Sequence, residues 1–236
     1  MIKAVFFDWF NTLAKYNPPR EEIQSRVLGE FGFNVSPEKL LPALVSADKD
    51  LYDQHADNPI TKRSPEERVK IFTQYQMTVL SKAGVDISNN PDILPKILQR
   101  AQELSKDNRF VLYEDVIPTL KNIRTKDLKI GIMTNFESGM QAICRELGLE
   151  PYVDFIVTSG EAGADKPQPR IFQYALSKAG IEASEAIHVG DQYKIDITGA
   201  KGVGINPILL DRFNIYPDVD DCPVIHELAE IIGYLE

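Results

Sequence analysis

The stretch Ala4-Val5-Phe6-Phe7-Asp8 is a short apolar run that ends at a carboxylate. A wholly apolar run of this length is typical of a strand buried on both faces of a parallel sheet. The pattern returns further along the chain at residues 129–133, 154–157, 186–189 and 205–210. Helical patterns lie between these runs, at residues 137–147, 169–179 and 195–201. Strands that alternate with helices predict an α/β fold with a doubly wound parallel sheet.

The region from residue 15 to residue 112 has a different pattern. Four segments show the helical spacing of apolar residues, at 21–31, 37–52, 65–83 and 91–106. Prolines near several of the helix starts fit the preference of this residue for the first turn. No strand pattern of comparable strength occurs there. We therefore predict a core domain of residues 1–14 and 113–236, interrupted by a helical domain of residues 15–112.

Composition and charge exclude several classes of protein. The 236 residues carry 35 acidic and 26 basic side chains, a formal net charge of −9 that opposes binding to nucleic acid and to anionic membranes. No segment approaches the ~20 apolar residues of a membrane span, and the N-terminal apolar run is too short for a signal peptide. Cys144 and Cys222 form neither a disulfide framework nor a metal-binding pair. We expect a soluble cytoplasmic protein; no feature predicts an oligomeric state.

Four short segments carry residues suited to chemistry, and they adjoin the predicted strands and helices of the core. They are residues 8–13, residues 134–135, residues 166–172 and residues 190–196. Reactive groups of open α/β sheets lie at the carboxyl ends of the strands. We therefore expect the four segments to meet in one cleft.

The residue types in this cleft predict a divalent cation. Asp8, Asp191 and Asp196 form a concentrated negative site, and two carboxylates ~4 Å apart repel by ~4 kcal/mol at an effective dielectric constant of about 20. Such a cluster of oxygen ligands predicts Mg²⁺. A carboxylate can also attack a substrate and form a covalent intermediate. Lys166 and Thr134 would then offset the developing charge.

The order and residues of the four segments resemble the haloacid dehalogenase superfamily, and the insertion after the first strand resembles its helical-cap subclass. The resemblance implies that Asp8 is the nucleophile of a hydrolase. It places further residues beside the reacting group, namely Thr12, Thr134, Asn135 and Lys166. It also implies metal ligands, namely Asp8, the backbone oxygen of Phe10, Asp191 and Asp196.

Two histidines receive different interpretations. His55 lies in a predicted loop of the cap and is a candidate substrate contact. His188 lies inside a predicted buried strand, and we interpret it as a core histidine and not as a catalytic base.

Phe10 departs from the pattern of most phosphatases of this family, which carry a second aspartate at that position as the general acid. A phenyl ring cannot transfer a proton, and general acid–base catalysis contributes typically ~10²–10⁴-fold to rate. Three kinds of enzyme are compatible with a phenylalanine at this position. The first is a phosphatase whose acid comes from the cap or from water, or whose leaving group needs little protonation, as in an aryl or acyl phosphate. The second is a 2-haloacid dehalogenase, and the third is an enzyme similar to phosphonoacetaldehyde hydrolase.

Charge favours the first of these enzymes. The dehalogenases work without metal and have a neutral residue where this chain has Asp191, and only Arg20 and Arg26 are nearby candidates for their halide-binding arginine. The phosphonate enzyme needs a cap lysine with a depressed pKa, and nothing around Lys49 or Lys62 indicates one. We expect a Mg²⁺-dependent phosphatase acting on a small phosphorylated metabolite, with a 2-haloacid dehalogenase as the alternative. A non-catalytic binding module of the same fold is a further alternative, because fold alone does not establish activity.

Overall fold

The computed structural model describes residues 1–90 and 92–235. Its strands are β1 Ala4–Phe7, β2 Ala14–Asn17, β3 Arg109–Leu112, β4 Lys129–Thr134, β5 Phe155–Thr158, β6 Ala186–Gly190, β7 Asn206–Leu210 and β8 Val224–Ile225. Its α-helices are α1 Arg20–Glu30, α2 Pro37–His55, α3 Pro65–Lys82, α4 Ile93–Leu104, α5 Val116–Arg124, α6 Met140–Glu146, α7 Ser159–Ala162, α8 Pro169–Ala179 and α9 Thr198–Gly202. A π-helical turn covers Tyr193–Ile197, and 3₁₀ turns cover Ile60–Lys62, Ala183–Glu185 and Leu228–Tyr234.

The main sheet has six strands in the order β5-β4-β1-β6-β7-β8, and the neighbouring strands are parallel. Strand β1 lies between β4 and β6, and Phe7 is in register with Ile132 and with Val189. The predicted α/β fold with a parallel sheet is therefore confirmed. Its central strand ends directly at Asp8, whose backbone N–H donates to the carbonyl of Val189 at 2.8 Å.

Alternate residues of β1 enter two different apolar clusters. Val5 and Phe7 pack with the side chains of one face, including Leu120 of α5, whereas Ala4 and Phe6 pack with those of the other face, including Phe172 of α8. The side chains of β1 are fully buried. Burial on both faces explains why this strand has no polar alternation in the sequence.

The chain divides into two compact units, one of residues 1–15 and 110–236 and one of residues 16–109. The second unit contains α1 to α4 around its own apolar core, which includes Leu28, Leu40, Leu80 and Ile97. Helix α3 begins at a capping box, in which Ser64 and Glu67 each bond the backbone N–H of the other. We call this second body the helical unit.

The structure corrects several expected element bounds. Helix α2 continues to His55, so this histidine ends a helix and does not lie in a loop. Helix α6 begins only at Met140, because Gly139 adopts a positive φ of 87°. The paired strands β2 and β3 were not predicted in the region of residues 15–112. The predicted start of the fourth cap helix at Pro91 lies outside the described residues.

Candidate active site

Neighbouring strand ends bring the predicted acids together. Asp8 follows β1, Asp191 follows the adjacent β6, and Asp196 lies in the π-helical turn after it. Each of the three acids offers a carboxylate oxygen within 4.8 Å of the other two. Hard oxygen ligands at this separation suit a divalent cation. Two of the four sequence segments therefore meet as expected.

Lys166 lies between two of these acids. Its Nζ donates to Oδ1 of Asp8 at 2.5 Å and to Oδ1 of Asp196 at 2.6 Å, and the residue is only 2% exposed. Asn135 holds the backbone of Lys166 from both sides: its amide nitrogen donates to the Lys166 carbonyl at 3.0 Å, and its oxygen accepts from the Lys166 N–H at 2.7 Å. The geometry thus gives Asn135 a positioning contact with Lys166.

Asp196 is the most tightly held acid. Besides Lys166, its carboxylate accepts from the backbone N–H of Gln192 at 3.1 Å, and Nε2 of His188 lies 3.0 Å from Oδ1. A methyl group at Gly190 would overlap this carboxyl group, so the close approach needs glycine there. The turn that carries Asp196 is π-helical and not the α-helix that the sequence predicts, and such turns occur frequently at functional sites.

His188 is fully buried, as expected for a core histidine, and its ring packs edge-on against Phe172 with centroids 5.5 Å apart. Its contact with Asp196 was not predicted. Its Nδ1 is buried without a hydrogen-bond partner among the described residues, which favours the tautomer with the proton on Nε2. His188 therefore orients the Asp196 carboxylate through a hydrogen bond from the buried strand β6.

The two predicted threonines are also buried at this sheet edge. Thr134 is the last residue of β4, and its hydroxyl oxygen accepts from the N–H of Phe136 at 3.3 Å. The hydroxyl of Thr12 is buried and has no partner among the described residues. A buried polar group without a partner needs an explanation, and a bound ligand would provide one.

The surroundings shift the pKa values of the three acids in different directions. Burial raises the pKa of Asp8, an effect that Lys166 partly offsets. Burial, followed by repulsion from Asp8 and Asp196, raises the pKa of Asp191 well above its usual value. Burial would also raise the pKa of Asp196, but Lys166 and His188 outweigh it and lower the pKa to about 2. Lys166 alone therefore does not balance the three carboxylates, and a divalent cation fits the charge that remains.

Aromatic rings surround the position of the missing acid. Phe10 is half-buried, and its ring lies 6.4 Å from that of Phe110. Phe110 in turn contacts Trp9 and Phe136, with centroids 5.5 and 5.8 Å apart. The lack of an acid at Phe10 can be recognised in the sequence, but this aromatic cluster cannot, because its members come from distant parts of the chain.

His55 and Arg20 belong to the helical unit. His55 lines a cavity of about 550 Å³ between α2 and α3, and burial followed by the nearby charge of Arg63 lowers its pKa. Arg20 makes two hydrogen bonds to Asp48, at 3.1 and 2.5 Å, and Asp48 also accepts from the hydroxyl of Tyr75 at 2.8 Å. Arg20 thus forms a partly buried ion pair with Asp48.

We expect Asp191→Asn to raise the stability of the metal-free protein. The raised pKa of Asp191 means that the folded protein loses stability as pH rises from the ordinary carboxyl range through that pKa. Neutral pH lies above the ordinary carboxyl range, so this loss of stability is present there, and replacing the carboxyl group by a neutral amide should raise the free energy of unfolding by ~1–3 kcal/mol. Urea unfolding at pH 7.5 in EDTA measures this change. Addition of Mg²⁺ should stabilise the wild type but not the variant.

Asp196→Asn provides the matched control and should have the opposite sign. The pKa of Asp196 is lowered to about 2, so this carboxylate contributes stability above the ordinary carboxyl pKa that is lost only as pH falls toward 2. Its neutral replacement should lower the free energy of unfolding by ~2–3 kcal/mol at neutral pH. Equal effects of the two substitutions would contradict the charge distribution described above.

Within residues 1–90 and 92–235, none of the helices combines the length and the apolar character needed to cross a membrane.

Comparisons with known proteins identify the family to which the chain is similar. A family model described as haloacid dehalogenase-like hydrolase matches residues 2–204. Haloacid dehalogenase-like hydrolase domain-containing protein 3 of Mus musculus is 37% identical over 112 residues, which cover 48% of this chain and 45% of that protein. The chain thus spans about half the length of that relative. A glyceraldehyde 3-phosphate phosphatase of Methanopyrus kandleri is 30% identical over 224 residues, which cover 90% of this chain and 85% of that protein.

A solved structure has the same fold. The crystal structure of a 2-haloacid dehalogenase from Pseudomonas syringae pv. Tomato DC3000 is similar with a TM-score of 0.56 and 27% identity, and the match covers 100% of this chain and 98% of that one.

Proposed function

This chain belongs to the haloacid dehalogenase-like hydrolase family, and on that basis we propose that it is a Mg²⁺-dependent phosphatase with Asp8 as its nucleophile. The observation that carries the proposal is the convergence of Asp8, Asp191 and Asp196, two of which, Asp8 and Asp196, pair with Lys166. The similarity to a phosphatase of Methanopyrus kandleri supports the reaction class. We further propose that the substrate is a small phosphorylated metabolite.

The residues at the strand ends fit the cation. Asp8 and Asp191 would bind it through carboxylate oxygens, with the backbone oxygen of Phe10 as a further ligand. Asp196 already accepts hydrogen bonds from Lys166 and Gln192, which favours a supporting role for it, through Lys166 or through a water molecule. When bound, Mg²⁺ would offset the charge of the acids and orient a phosphoryl oxygen.

The chain's own residues would then act in two steps. In the first step an oxygen of Asp8 forms a bond to phosphorus while the bond from phosphorus to the leaving oxygen breaks, and Lys166 offsets the negative charge that develops. Thr12 and Thr134 would donate hydroxyl groups to the phosphoryl oxygens. In the second step water attacks the phosphoaspartate, which releases phosphate and restores the carboxylate of Asp8.

Phe10 restricts the leaving group. Neither its ring nor the adjoining Phe110 can supply a proton to the departing oxygen. Leaving groups that are stable as anions, such as aryl or acyl oxygens, need no such proton. We therefore propose that substrates of this kind turn over faster than simple alkyl phosphates.

A 2-haloacid dehalogenase is the second candidate, because halide also leaves without a proton and the Pseudomonas syringae dehalogenase is similar to this chain. Two observations weigh against it. Asp191 adds a negative charge beside Asp8, which would repel the carboxylate of a haloacid. Arg20 is paired with Asp48, and Arg26 is exposed beside Glu30 at 3.7 Å, so neither offers a cation held ready for halide.

The two candidates separate in one pair of assays. We expect release of phosphate from p-nitrophenyl phosphate in the presence of Mg²⁺ and loss of this activity in EDTA. Release of chloride from 2-chloropropionate that persists in EDTA would overturn the proposal in favour of the dehalogenase. An absence of turnover on a broad panel of phosphate esters, with Mg²⁺ still bound, would indicate a binding module.

A further inference from the structure

Gln192 connects the two acids of the fourth segment. Its side-chain nitrogen donates to Oδ2 of Asp191 at 2.7 Å, and its backbone N–H donates to Oδ2 of Asp196 at 3.1 Å. Gln192 is only 6% exposed, and its bond to Asp196 is buried. Only the nitrogen of an amide can donate to a carboxylate, which fixes the orientation of the Gln192 side chain.

Tyr216 holds the other end of this amide. Its hydroxyl donates to Oε1 of Gln192 at 3.3 Å and accepts from the backbone N–H of Tyr193 at 3.3 Å. Asp211 fixes the tyrosine in turn, because its carboxylate accepts from the backbone N–H groups of Ile215 and Tyr216, both at 2.9 Å. The buried hydroxyl of Tyr216 therefore connects the segment after β7 to the loop that carries Asp191.

We propose that Gln192 and Tyr216 are positioning residues that orient the carboxylate of Asp191 for a divalent cation. The inference rests on the proposed function, since it assumes that Asp191 is a metal ligand. The Gln192 amide donates to Oδ2 of Asp191, so Oδ1 would be the oxygen offered to the cation. Because an amide is neutral, it restrains the carboxylate without removing the negative charge that a cation needs. A lysine at this position would restrain Asp191 but also neutralise it.

Binding of Mn²⁺ to the full chain tests this inference without an activity assay. The concentration of the free ion is measured by electron paramagnetic resonance. Gln192→Met keeps the length of the side chain and removes the amide, and we expect it to weaken Mn²⁺ binding ~10–100-fold. Tyr216→Phe should weaken binding in the same direction but by less. The double variant should bind no more weakly than Gln192→Met, because Tyr216 acts through Gln192.

Tyr193→Phe is the matched control. It also removes one hydroxyl from this loop, but that hydroxyl donates to the exposed Asp221 at 2.7 Å and not to Gln192 or Asp191. Its Mn²⁺ affinity should equal that of the wild type. Tyr216→Phe removes a single oxygen and carries the test if Gln192→Met does not fold.

The outcomes distinguish this inference from the proposed function. Wild-type affinity in folded Gln192→Met or, if that variant does not fold, in Tyr216→Phe would overturn the positioning role and leave the proposed phosphatase intact. A wild-type chain that binds no Mn²⁺ and no Mg²⁺ would overturn both. Equal losses in Tyr193→Phe and Tyr216→Phe would indicate general loosening of the loop and would also overturn the inference.

Discussion

Asp8→Asn should abolish phosphate release and leave the protein folded. The amide has nearly the same shape as the carboxylate but cannot attack phosphorus, so kcat should fall by ~10⁴-fold or more. The backbone of residue 8 remains anchored by its bond to the carbonyl of Val189 at 2.8 Å, and the apolar strand before it is unchanged. Steady-state phosphate release in Mg²⁺, together with circular dichroism, measures both parts of this expectation.

The Asp8 experiment needs a control for the loss of a negative charge. Asp218 is an exposed acid of the same unit, and Asp218→Asn should retain wild-type activity. A folded Asp8→Asn protein that keeps a substantial part of the wild-type rate would reject Asp8 as the nucleophile. Acid-quenched reactions with radiolabelled phosphate substrate should also trap a labelled wild-type protein and no labelled variant.

Phe10→Asp should raise kcat/KM for alkyl phosphates by roughly 10²-fold, because it adds the general acid that the site lacks. The apolar surroundings contributed by Phe110 should raise the pKa of the new carboxyl group and keep it protonated as a donor. p-Nitrophenyl phosphate should gain much less, since its leaving group departs as a stable anion. Rates for a series of esters with different leaving-group pKa values measure the difference.

Phe10→Leu separates the acid from the loss of the ring. It removes the aromatic contact with Phe110 but adds no proton donor, so alkyl phosphates should gain nothing. If Phe10→Asp leaves the rate for alkyl phosphates unchanged or lowers it, the proton comes from another group or from water. A gain of equal size for Phe10→Leu would mean that the ring merely obstructs the substrate.

Elements with a continuous buried face could be predicted from the sequence. Helix α8 has the predicted bounds, Pro169–Ala179, and β1 lies at the predicted residues Ala4–Phe7. Strands β2 and β3 were missed because each has only four residues and is only partly buried, and the apolar run of β3 is limited to Phe110, Val111 and Leu112. Helix α5 was also missed, although the spacing of its buried Val116, Leu120 and Ile123 carries a helical signal.

The sequence by itself determined the parallel α/β core and the candidate acids Asp8, Asp191 and Asp196, because apolar runs specify buried parallel strands and parallel strands end at one edge. Only the tertiary structure decided how those acids are held. The contacts of Lys166 with Asp8 and of Tyr216 with Gln192 join residues 158 and 24 positions apart, separations that no helical or strand period specifies. Such contacts depend on how the chain packs in three dimensions, and local patterns of residues do not encode them.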